Sequence, residues 1–167
     1  MITELERAYL AGFIDGEGCI SIIEQRRTNS PMPSLHVVVA VSSCEKTILD
    51  YWAEKTGLGS VNLSTKARGN SRNGYLWQVS ARKAMGLLVM VYPYLILKKP
   101  QADVAFDFQE TIYKNWDGKR LNPEILAERF RFKDELTRLK GTTKAGRPRI
   151  HDSRRPAPEM AALLGGE

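Results

Sequence analysis

Residues 8–18 read AYLAGFIDGEG, and the spacing of small, apolar and acidic residues here governs the reading of the whole chain. Ala8, Gly12 and Gly16 recur every fourth position. On a 3.6-residue helix that makes a narrow stripe without bulk, where another helix backbone can approach closely. Leu10, Phe13 and Ile14 fall between them and can face the body of the protein. Two carboxylates, Asp15 and Glu17, alternate with Gly16 and Gly18 at the end of the run. Glycines there end a helix and leave bare backbone around acids, which suits a hydrated divalent cation. Taken singly, each feature has an ordinary explanation in helix packing or in a solvated acid.

Outward from that stretch the periodicity alternates between helix and strand. Thr3 and Glu6 form a capping box, which predicts a helix over residues 4–15. After Gly18 the period becomes two, predicting strands over 19–27 and 34–42 separated by the turn signal Asn29-Ser30-Pro31-Met32-Pro33. In the second strand Leu35, Val37, Val39 and Val41 share the apolar face. Helical spacing returns over 45–55, with Ile48, Leu49, Trp52 and Ala53 as its apolar side. A second strand pair, 60–66 and 75–80, flanks a polar loop, with Tyr75, Trp77 and Val79 facing the core. Helices are expected over 81–92, from Pro100 to 115, and over 122–140, the last with Asn122 as cap and Pro123 at its first position.

Residues 10–18, LAGFIDGEG, resemble the signature of the LAGLIDADG homing endonucleases at all nine positions. The changes are Phe13 for Leu, Gly16 for Ala and Glu17 for Asp. The resemblance extends roughly over residues 3–115. It implies an α+β fold of αββαββα order, with one four-stranded antiparallel DNA-binding sheet, here followed by further helices. One domain is expected over residues 1–140, with a basic tail over 141–167.

The same resemblance implies a Mg²⁺-dependent, site-specific double-strand DNA endonuclease. Mn²⁺ is expected to substitute, and Ca²⁺ to bind without supporting cleavage. The implied target is long and near-palindromic, cut across the minor groove to leave short 3′ overhangs. A chain with one motif implies a homodimer, with Ala8, Gly12, Asp15 and Gly16 at its interface and Asp15 capping the partner helix. The Glu17 carboxylate and the Gly16 carbonyl are the implied metal ligands. The segment YPYLILKKPQA (residues 92–102) looks like the family's connector, which assigns the active-site lysine to Lys98, with Lys99 as rival. Glu45, with Ser43 close behind, stands where relatives hold active-site water. Leu49 and Asp50 occupy the place of a basic residue that some relatives carry.

Alternation places Ser21, Ile23, Gln25, Arg27, His36, Ser42, Asn62, Ser64, Lys66, Gln78 and Ser80 on the open face of the sheet, suited to base edges in a major groove. Arg68 and Arg72 on the adjoining loop suit phosphates. Charge agrees with this division. Residues 1–18 hold one Arg against four acids, whereas 19–85 hold nine basic residues against four acidic ones, within a chain of net charge +6. An acidic spot beside basic surfaces suits a metal next to a phosphate-binding face.

Cys19 and Cys44 lack metal-site spacing and read as reduced intracellular thiols, and no apolar run is long enough to span a membrane. A soluble protein of a prokaryotic cytoplasm or an organelle is the expectation. In the tail, Gly146-Arg147-Pro148 between basic residues resembles an AT-hook, although a basic segment adding non-specific affinity explains it as well. Two other functions use the same fold without cleavage: an RNA maturase acting on an intron, and a DNA-binding regulator.

Overall fold

A computed structural model describes residues 2–26, 32–113 and 122–145, with backbone alone for 142–145. Arg27 and the Gly146-Arg147-Pro148 segment lie outside the described residues. Along the chain run α1 (Glu4–Glu17), β1 (Gly18–Gln25), β2 (Ser34–Ser43), α2 (Lys46–Thr56), β3 (Ser60–Thr65), β4 (Gly74–Ser80), α3 (Ala81–Val91), a 3₁₀ turn (Tyr92–Tyr94), α4 (Lys99–Tyr113) and α5 (Pro123–Ala145). The four strands form one antiparallel sheet in the order β1-β2-β4-β3.

The capping box forms as its residues dictate: Thr3 Oγ1 accepts from the Glu6 amide, and the Glu6 carboxylate accepts from the Thr3 amide. Asn122 likewise caps α5 by accepting the Glu124 amide at 2.9 Å. The first helix runs two residues beyond the expected end, so Glu17 is its last residue and β1 begins at once with Gly18. That junction has no room for a side chain. A Cβ at Gly18 would stand 2.5 Å from the Ile14 carbonyl oxygen and 2.9 Å from its Cα.

Packing follows the alternation of the strands. Ile20, Ile22, Val37, Val39, Val41, Trp77 and Val79 point to one face, where Leu10, Ala11 and Ile14 of α1 and Leu87, Leu88 and Val91 of α3 bury them. Trp77 is fully buried and satisfies its indole N–H on the Leu58 carbonyl at 2.8 Å. This face holds the main apolar core, so α1 is clamped by its apolar side and its acidic end is fixed relative to the strands.

One helix packs differently. Helix α5 lies beside β1, the outer strand, with Leu136 inserted into the core. Lys133 reaches Glu24 (3.0 Å) and Lys140 reaches Ser21 (2.5 Å). Seven helical residues rise about 10 Å, as do three strand residues. Helix α5 therefore runs antiparallel to β1, toward the end where Glu17 lies. It also runs to Ala145, past the expected end at 140.

Candidate active site and nucleic-acid interface

The last turn of α1 separates its two acids. Asp15 is buried at 9% exposure, and its carboxylate accepts the amides of Ile96 (2.7 Å), Leu97 (3.1 Å) and Lys98 (2.9 Å). Asp15 is expected to cap a partner helix, and within its own chain the carboxylate already has backbone partners. It caps the entrance to its own chain's α4, because the connector folds beneath α1 and offers three consecutive N–H groups to both carboxylate oxygens. Glu17, two residues on, is exposed.

Lys98 closes this arrangement. Its ammonium donates to the Asp15 carbonyl, one of the last-turn carbonyls that the helix itself leaves unpaired. Burial of the side chain lowers the Lys98 pKa, partly opposed by its electrostatic interaction with Asp15, Cys19 and Glu17. Lys98 is thus within electrostatic reach of Glu17 and seated by the backbone of the motif. Lys99 instead lies over the Tyr92 ring, 4.9 Å from its centroid. Lys98 is therefore the lysine seated against the end of α1.

Cross-strand register defines the open face of the sheet, since directly opposed residues point the same way. Gln25 pairs with Ser34, Ile23 with His36, and Ser21 with Val38, which pairs in turn with Ser80. Cys19, Ala40, Gln78 and Ser60 make the next row, and Ser42, Leu76 and Asn62 the one after. The described residues expected there therefore share one face, apart from Ser64 and Lys66. The pairing shifts between Leu63 and Thr65, so simple alternation does not carry Ser64 along the row. Lys66 lies beyond the end of β3, a correction to its placement on the strand.

Glu45 precedes α2 and makes no side-chain cap. Its carboxylate accepts from Arg72 at 2.8 Å, both side chains being largely exposed. The expected water-holding acid and one of the two expected phosphate-binding arginines therefore meet each other. Arg68 stays in the loop, where its backbone N–H and C=O bond the Ser71 hydroxyl.

A family model of the LAGLIDADG endonucleases matches residues 10–104. The chain belongs to the LAGLIDADG endonuclease family. Solved structures agree in fold. The homing endonuclease I-CvuI, crystallised with the I-CreI target in Mg²⁺ with the DNA uncleaved, is 22% identical over 98% of this chain and 97% of its own, with a TM-score of 0.67. The archaeal intron-encoded homing endonuclease I-Vdi141I, complexed with DNA, is 17% identical over 96% and 95%, with a TM-score of 0.66. In I-GzeII the matched region is 56% of that chain, at 17% identity and a TM-score of 0.64. At such identities the likeness is one of fold. No curated protein sequence matches this LAGLIDADG chain.

Two features of this family member escape any reading of its sequence. Asp15 and the 96–98 amides lie some eighty residues apart, and Lys140 reaches Ser21 across 119 residues. No local pattern signals either contact. Among the described residues no helix is long and apolar enough to cross a membrane.

Proposed function

We propose that this chain is a site-specific, Mg²⁺-dependent double-strand DNA endonuclease that acts as a homodimer on a near-palindromic target. The observation that carries the reading is the division of labour at the end of α1. Asp15 is consumed by backbone amides, Glu17 is exposed, and the Lys98 ammonium sits beside them.

The donor set fits the expected cation. Among the described residues no three His, Cys, Asp or Glu side chains gather into a metal-holding group. The chain offers an exposed Glu17 carboxylate and the last-turn carbonyl of Gly16. Mg²⁺ is commonly held by one or two carboxylates with water and substrate phosphate completing its shell, whereas zinc needs three or four protein ligands. Mn²⁺ should substitute, and Ca²⁺ should support binding without cleavage. When bound, the ion supplies Lewis-acid activation of water and neutralises charge at the leaving 3′ oxygen. Glu17 and Gly16 hold it; Lys98 faces the scissile phosphate and offsets the charge that develops there; Glu45 orients solvent from the start of α2.

The outer side of α1 supports pairing. A Cβ at Gly12 or Gly16 would meet nothing within 4 Å. Leu5 and Tyr9, on the same side of the helix, are 84% and 62% exposed. A second copy laid along Ala8, Gly12 and Gly16 would cover them and bring two Glu17 carboxylates together, which a shared cationic site stabilises. The open face, from Gln25 and Ser21 across to Gln78 and Asn62, then lies along each half-site. Cleavage leaves short 3′ overhangs.

The test is cleavage of a randomised duplex library in Mg²⁺, beside Ca²⁺ and Glu17→Gln. Ends should cluster on one near-symmetric site. Losing a metal ligand should lower the rate roughly 10²-fold or more while binding persists. Binding without any cleavage by the unaltered protein would replace this reading with the DNA-regulator or maturase alternative.

A further inference from the structure

We propose that Arg72 is a positioning residue for the cleavage step. From the β3–β4 loop it holds the Glu45 carboxylate in place and balances its charge beside the duplex, a role that rests on the endonuclease reading above. Register brings the two segments together. Gly18 of β1 pairs with Val41 of β2; two residues on, Ser43 pairs with Tyr75 at the start of β4, and the adjacent Gly74 pairs with Thr65 at the end of β3. Glu17, Glu45 and the 66–73 loop therefore occupy one end of the sheet. The loop is braced on both sides of Arg72. The Ser71 hydroxyl and amide donate to the Arg68 carbonyl, at 2.8 and 3.1 Å, and the Asn73 side-chain oxygen accepts the Ala67 amide at 2.8 Å.

At Glu45, backbone and side chain are held by different elements. Its amide donates to the Ser43 hydroxyl at 3.0 Å, and its carboxylate, which makes no cap on α2, accepts from Arg72 Nη1 at 2.8 Å. The two side chains are 74% and 69% exposed, and an ion pair so open to water adds little to stability. What the pair changes is the acid. A group that orients solvent has to keep one direction, whereas an unheld Glu side chain samples several rotamers. A bare carboxylate at this end of the sheet also repels a duplex laid on the open face, and a Glu–Arg pair carries no net charge. Arg72 answers both needs. It serves the duplex through Glu45 rather than by gripping a phosphate itself.

The experiment is a double-mutant cycle in Arg72→Gln and Glu45→Ala with the full-length protein. It is read as single-turnover cleavage in Mg²⁺ and as affinity in Ca²⁺, on the duplex recovered from the library. Both side chains are exposed, so every variant should keep the thermal midpoint of the unaltered protein. Each single substitution should lower the rate roughly 10- to 10²-fold, and the double substitution should lower it no further, because the two residues act as one unit. Affinity should behave differently. Arg72→Gln should weaken binding roughly two- to fivefold at low salt, and Glu45→Ala in the same chain should restore it, since the bare acid is gone. Arg72→Lys keeps a cation within reach of the carboxylate and should retain most of the rate. Arg68→Gln takes a cation from the same loop, and its effect on binding should not be relieved by Glu45→Ala. Three results would each overturn the proposal while leaving the endonuclease reading intact. They are rate losses that multiply in the double variant, an affinity that Glu45→Ala fails to restore, and equal relief of Arg68→Gln. An unaltered protein that bound the duplex without cutting it would bring down the endonuclease reading and this proposal with it.

Discussion

Asp15 and Lys98 hold each other at two points: the Asp15 carboxylate accepts the Lys98 amide at 2.9 Å, and the Lys98 ammonium donates to the Asp15 carbonyl. The motif acid therefore builds the seat of the lysine. Asp15→Asn keeps the size but turns one oxygen into an NH₂ that faces N–H groups. Losing charge-assisted bonds to buried donors should cost about 1.5–3 kcal/mol. A urea titration should show that loss, and cleavage should fall further than DNA binding as Lys98 is released. Unchanged stability would mean that the connector is held by other contacts.

Gly18 sets the spacing between Glu17 and the sheet. With its virtual Cβ 2.5 Å from the Ile14 carbonyl oxygen, Gly18→Ala forces backbone apart. The expected destabilisation is about 1–3 kcal/mol, typical of overpacking. The rate of a single turnover should drop more than affinity, since Glu17 moves while the open face of the sheet does not. Equal losses in rate and affinity would count against this view of the junction.

Between β4 and α3 there is no loop, and Ala81 takes φ +54°, a left-handed conformation that costs a residue with a Cβ about 1–2 kcal/mol. Ala81→Gly removes that strain but adds about 0.5–1 kcal/mol of chain entropy. The net expectation is a small gain in thermal midpoint. A clear decrease would show that the alanine methyl contributes packing that outweighs the strain.

Glu6 ties α1 to α2 through Lys55 (2.8 Å) and Tyr51 (3.2 Å), besides serving the capping box. The Lys55 ammonium and the Thr3 amide hold its pKa down, from 4.5 to about 2. A carboxylate more acidic in the folded chain than in the unfolded one stabilises the fold above its unfolded pKa, and that contribution is lost as pH falls through the folded value. Thermal midpoints should therefore decline between pH 4.5 and about 2, and Glu6→Gln should flatten this stretch of the profile. An identical profile in the variant would show that other carboxylates dominate the acid limb.

The sequence by itself determined the elements and their faces. Alternation in 34–42 put Leu35, Val37, Val39 and Val41 inside because a strand has no other way to bury them, and the capping box began α1 at Glu4. The nine-residue motif also placed the chain in its family, as the match over residues 10–104 bears out. What local periodicity could not supply was the destination of a polar side chain whose partner is distant in sequence. The motif separates Asp15 from Glu17 in role, but only the fold of the 95–98 connector beneath α1 gives Asp15 its three backbone amides and leaves Glu17 exposed. Arg72 reads as a loop arginine, and only the fold of the β3–β4 loop brings it to Glu45. Lys140 reads as one more helix lysine until α5 settles on the edge of β1. Burial of apolar surface is dictated by pattern along the chain, whereas hydrogen bonds and ion pairs depend on which groups the completed fold brings within about 3 Å of one another.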